Sequence, residues 1–104
     1  MKLTMIYTLC GSVDEAKKIA QFLIGQNAAA CVNILSPTTS HYRWEGKIET
    51  ATEIPVLVKT SAEKANEAAD VIRTHHAYKT PAIVTWEADS ANPSYSTWVK
   101  ENLA

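Results

Sequence analysis

From Lys2 to Cys10 the side chains alternate. Leu3, Met5, Tyr7 and Leu9 fall on one face and Thr4, Ile6, Thr8 and Cys10 on the other, the period-two pattern of a strand with one clearly apolar face. Gly11 breaks the run. Ser12 followed by Glu15 is a capping-box pair. Val13, Ala16, Ile19, Ala20, Leu23 and Ile24 recur along one side of the helix it opens, and Gly25 or Asn27 can end that helix. Ala29 to Leu35 reads as a second strand, interrupted at Ser36-Pro37, where the missing N–H of proline calls for an edge, a bulge or a bend. Pairing resumes from Ser40 to Trp44, turns tightly at Glu45-Gly46 and returns from Lys47 to Thr60, with a second irregularity at Pro55.

Ser61 is placed to cap a second helix, whose Ala65, Ala68, Ala69 and Ile72 stripe lets it sit close to a sheet. Its end falls around Thr74-His75-His76, where histidines complement the negative end of the helix dipole. Pro81 precedes a strand from Ala82 to Glu87. Asn92-Pro93 then opens a short helix with Tyr95, Trp98 and Val99 turned inward. The order is βαββαβ plus a C-terminal helix: an α+β fold, the ferredoxin-like split β-α-β sandwich. Right-handed crossovers put both main helices on one face of an antiparallel sheet in spatial order 4-1-3-2. The long hairpin becomes an arm, and the opposite sheet face keeps apolar side chains that call for cover by another subunit.

The chain has 104 residues and reads as a single domain over 1–104. Hydrophobic residues make up 46% and charged residues 20%, with a net charge of -1 and scattered Lys and Arg. This balance argues against nucleic acid and anionic membrane as partners. No apolar run approaches the roughly 20 residues that span a bilayer, and no signal-peptide pattern opens the chain. Cys10 and Cys31 show neither disulfide density nor paired zinc spacing, so reduced thiols in a cytoplasmic protein are expected. No nucleophile–base spacing, oxyanion loop or carboxylate pair marks an enzyme.

Several segments fall in one order along the chain: Cys10 closing the first strand, Ala29-Ala30-Cys31-Val32-Asn33-Ile34, Tyr42-Arg43-Trp44-Glu45-Gly46-Lys47-Ile48-Glu49, Glu53, Lys59-Thr60, His75-His76-Ala77-Tyr78-Lys79-Thr80-Pro81, and Tyr95-Ser96-Thr97-Trp98. Together they resemble the CutA family, proteins named for divalent-ion tolerance. The resemblance implies a ferredoxin-like subunit in a tight homotrimer, with hairpin arms joining neighbouring sheets. It also implies copper, or another divalent metal ion, held by a cysteine at the end of the first strand and histidines at the end of the second helix. Those positions are Cys10, His75 and His76 here. The family's His-Pro-Tyr-Glu pattern is broken by Ala77 and Lys79, and the exchange of a carboxylate for an ammonium removes an oxygen ligand.

Thiolate with imidazole suits copper or zinc, with Cu(I) favouring the soft sulfur. Adjacent histidines on a helix diverge by about 100°, so both reach one ion only if the helix unwinds there. Cys31 reads as a small core hydrophobe, and His41 as a contact residue in the arm. Tyr42, Arg43, Trp44, Glu53 and Lys59 are candidates to line a polar cleft between subunits; the alternative is a Lys59–Glu53 ion pair with interface aromatics. That cleft supports a second functional reading, a small-molecule-sensing or scaffolding trimer similar in architecture to the nitrogen-regulatory signal proteins. Gly11-Ser12 at a helix start is a weak anion site, and no Gly-rich phosphate loop is present.

Overall fold

The structure is a computed structural model that describes residues 2–103. Its elements run β1 (Leu3–Cys10), α1 (Val13–Gly25), β2 (Cys31–Ile34), β3 (Thr38–Trp44), β4 (Lys47–Ser61), α2 (Ala65–His75), β5 (Ile83–Glu87) and α3 (Pro93–Glu101). All pairings are antiparallel and the sheet order is β2-β4-β1-β5, with β3 paired to the far half of β4. Counting β2–β3 as one interrupted strand, this is the expected order 4-1-3-2.

The helices settle on the face of β1 that carries Thr4, Ile6, Thr8 and Cys10. Ile6 and Cys10 join Ala16, Ile19, Leu23, Val56, Val58 and Ile72 in the main core. The more apolar face of β1 is therefore the one the helices leave open. α3 covers one end of it, where Leu3, Val99 and Leu103 pack with Met5 and Tyr95. Farther along, Tyr7 faces Leu57 and Val84 across the ladders, and Val84 stays 55% exposed. Trp98, expected inward, is exposed and stacks on Tyr95 instead.

α1 starts as its sequence dictates, with Ser12 Oγ accepting the Glu15 N–H at 3.1 Å. Its end is set by Asn27 rather than Gly25. Asn27 takes φ 56, while the Asn27 and Ala28 N–H groups donate to the carbonyls of Ile24 and Leu23. These paired bonds satisfy the last orphan carbonyls of the helix. α2 begins a turn later than expected, because β4 continues to Ser61 and the Ser61 hydroxyl accepts the Lys64 N–H at 3.3 Å in a turn before the helix.

The arm follows from one bulge and one turn. Ile34 pairs with Val56 and Thr38 with Glu53, so Leu35, Ser36 and Pro37 stand opposite only Ile54 and Pro55. The extra residue redirects β3 and the first half of β4 away from the main sheet. At the tip, Glu45 at φ 50 and Gly46 at φ 79 form a two-residue turn with both φ positive, the geometry that matches strand twist. Glycine suits that conformation; Glu45 carries a cost of about 1 kcal/mol in it. The arm offers its own subunit little to pack on: Ile48 is 74% and Trp44 48% exposed.

Candidate functional site

Two sites meet where β1 ends. The first is built by Cys10, Glu15 and His76, whose Sγ, carboxylate oxygen and imidazole nitrogen lie within 4.8 Å of one another. Cys10 closes β1 and is fully buried. Glu15 arrives on the first turn of α1, fixed there by the Ser12 cap. His76 stands just past α2 in extended backbone, φ -82 and ψ 139.

Each of these groups is already engaged. Glu15 Oε1 accepts the Gly11 N–H at 3.0 Å and its Oε2 accepts the Ala77 N–H at 2.7 Å. The Tyr78 N–H donates to His76 Nδ1 at 3.1 Å, which leaves the ring proton on Nε2, donated to the Leu9 carbonyl at 2.8 Å. Burial pushes the Cys10 thiol up to about 12, reinforced by the Glu15 carboxylate and more weakly by Glu53. The donor set suits a soft or borderline ion such as copper or zinc. Loading it requires Cys10 to lose its proton and His76 to release one of its two backbone partners.

His75 is not part of this cluster. Its ring stacks on Phe22 with centroids 3.8 Å apart and planes 8° from parallel. α2 ends at His75 and His76 follows in extended backbone, so the expected helical divergence does not apply; His76 goes to the cluster and His75 to α1. Glu15, which the sequence reading assigned only to capping, takes the place expected of His75. The signal for it was the capping box itself, which places Glu15 on the first turn of α1, five residues after Cys10.

The second site is a cavity of about 620 Å³ on the open face between the arm and the 78–82 loop. Tyr42, Trp44, Glu53, Tyr78 and Lys79 line it, with Leu9 from β1. Tyr78 lies over Gly11, where a Cβ would make ordinary contact with its hydroxyl at 3.4 Å. Burial and then the Glu53 carboxylate push the Tyr78 phenol up to about 12. Three of the five expected cleft residues, Tyr42, Trp44 and Glu53, share this cavity, and Arg43 is not among its lining. Lys59 does not line it either. It lies six positions farther along β4, across from Cys31 and Met5, with Nζ 5.7 Å from the centre of the Tyr95 ring. The alternative Lys59–Glu53 ion pair is likewise not formed, because about 3.4 Å of rise per residue separates the two by roughly 20 Å. Cys31 is half-buried beside Asn33 on the open face rather than in the core. His41 lies in the arm, its Nδ1 3.2 Å from the Thr50 hydroxyl.

A sequence model of the CutA1 divalent ion tolerance protein matches residues 4–102. The divalent-cation tolerance protein CutA of Archaeoglobus fulgidus is 40% identical over 98 residues, covering 94% of this chain and 95% of that one. Among solved structures, the CutA1 of Ehrlichia chaffeensis is 34% identical, with a TM-score of 0.95 over 100% of this chain and 98% of that chain. The Archaeoglobus fulgidus structure, described as a periplasmic divalent cation tolerance protein, is 38% identical with a TM-score of 0.94 over 98% and 99% of the two chains. With sequence and fold in agreement over nearly the whole length, the chain belongs to the CutA1 divalent ion tolerance family.

Proposed function

We propose that this protein is a non-catalytic homotrimer that binds a soft or borderline metal ion, copper foremost, at Cys10, Glu15 and His76 and so contributes to metal tolerance. The observation that carries this reading is the convergence of a thiol, a carboxylate and an imidazole within 4.8 Å at the end of β1. Cys10, Glu15 and His76 would hold the ion, whose positive charge would favour the thiolate form of Cys10. The trimer reading rests on the open sheet face and on the arm, both apolar where a lone subunit leaves them in water. The two unbridged cysteines support a reducing, cytoplasmic location; cell fractionation tests this, since the Archaeoglobus relative is described as periplasmic. Metal analysis of protein purified without a histidine tag tests the binding: copper or zinc near one per subunit supports it, and metal-free protein that takes up neither ion on dialysis counts against it.

The cavity beside the arm favours a second reading, a small-molecule-sensing trimer in which metal binding is incidental. It falls within the about 300–1,000 Å³ usual for ligand sites and combines aromatic walls with a few polar groups.

A further inference from the structure

Glu53 is a charged side chain only 7% exposed. Among the described residues the ion pairs are Lys64–Glu67 and Arg73–Asp70, so no cationic side chain stands within pairing distance of Glu53. The Tyr78 hydroxyl hydrogen-bonds the Glu53 carboxylate but brings no counter-charge, and the carboxylate borders an open cavity rather than solid core. The walls are aromatic: Tyr42 and Trp44 come from the arm and Tyr78 from the loop after α2. Aromatic faces carry negative quadrupole potential and attract cations. The Tyr78 ring adds a third aromatic wall beside the carboxylate.

We propose that this cavity binds a singly charged organic primary ammonium ion, its N–H groups donating to the buried Glu53 carboxylate and its apolar body held between Tyr42, Trp44 and Tyr78. The inference rests on the small-molecule reading of the cavity and specifies its ligand. A bare divalent ion fits this place poorly. Hard ions require several oxygen ligands, and Glu53 is the one carboxylate in the lining. A primary ammonium ion supplies the missing counter-charge once, makes directional hydrogen bonds and leaves a hydrocarbon body for the aromatic walls. A carboxylate ligand would instead meet Glu53 at the floor.

The test is isothermal titration calorimetry of the assembled protein, stripped of metal by a chelator, against three probes of one shape: 2-phenylethylamine, 2-phenylethanol and 3-phenylpropionate. The amine should bind, the alcohol about tenfold or more weakly, and the acid not measurably. Glu53→Gln should erase the difference between amine and alcohol, with its melting curve showing that the fold is kept. The three-probe comparison on the wild type stands even if that variant does not fold. Alcohol or acid binding as tightly as the amine would overturn the ammonium assignment while leaving a small-molecule site. Failure of all three at millimolar concentration would overturn both.

Discussion

Glu15 Oε2 accepts the backbone N–H of Ala77 at 2.7 Å, tying the first turn of α1 to the loop after α2 across 62 positions. The donor exists because residue 77 is alanine. In the His-Pro-Tyr-Glu pattern that this chain otherwise resembles, the proline at that place has no N–H to give. His76 already holds the extended backbone that a following proline demands. Ala77→Pro should therefore fold, lose this one contact, and cost about 1 kcal/mol after the stiffening of the unfolded chain is counted. Glu15→Ala should cost less in the Ala77→Pro background than in the wild type. Equal costs in thermal melts would show that the bond contributes nothing.

Alkaline pH should unfold this protein early. Cys10 rises from an ordinary 9.0 to about 12 and Tyr78 from 10.0 to about 12, burial being the main cause in both. A raised value means that the folded state keeps protons the unfolded chain releases. The stabilisation is complete below pH about 9 and is lost as pH rises through about 12. Urea midpoints should hold steady to about pH 9 and then fall, and Cys10→Ser should flatten the first part of that decline. A midpoint that holds to pH 11 in the wild type would contradict these values.

The arm gives a sharper test of assembly than of folding. Trp44 is 48% exposed beside the Glu45-Gly46 turn, and its own subunit offers it one side of a cavity and nothing beyond. Trp44→Ala should weaken subunit association by about 2 kcal/mol or more while leaving monomer secondary structure in place. The wild type should sediment as a trimer at micromolar concentration, as an interface of roughly 2,000 Å² requires. A folded wild-type monomer there, or a variant as trimeric as the wild type, would remove the arm's proposed role.

Periodicity and turn chemistry carried the fold a long way, because strand alternation, the Ser12 cap and the Glu45-Gly46 turn are local signals that tertiary packing then reused. Tertiary packing overrides local signals at two places. Ser61 has the chemistry of a cap, but ladder pairing with Leu3 holds it in β4. Trp98 lies on a stripe with Val99, yet α3 covers only one end of the sheet and its second aromatic meets water. The candidate sites were harder. The strand rise between Glu53 and Lys59 is a local signal, but which histidine meets Cys10 depends on where α2 ends against α1. Glu15 was visible only as a cap because its second partner, Ala77, lies 62 residues away.

Cys10, Glu15 and His76 are proposed to hold a soft metal ion, with His75 taking no part. Competition titration against a Cu(I) chelator, on wild type, Cys10→Ser, His76→Ala and His75→Ala, tests it most directly. Affinity should drop by about tenfold or more in the first two variants and stay at the wild-type value in His75→Ala, whose loss is confined to the Phe22 stack and about 1 kcal/mol of stability. Binding should also weaken as pH falls, since the thiol must give up its proton. Equal affinity in wild type and Cys10→Ser, or a greater loss in His75→Ala than in His76→Ala, would rule out this ligand set.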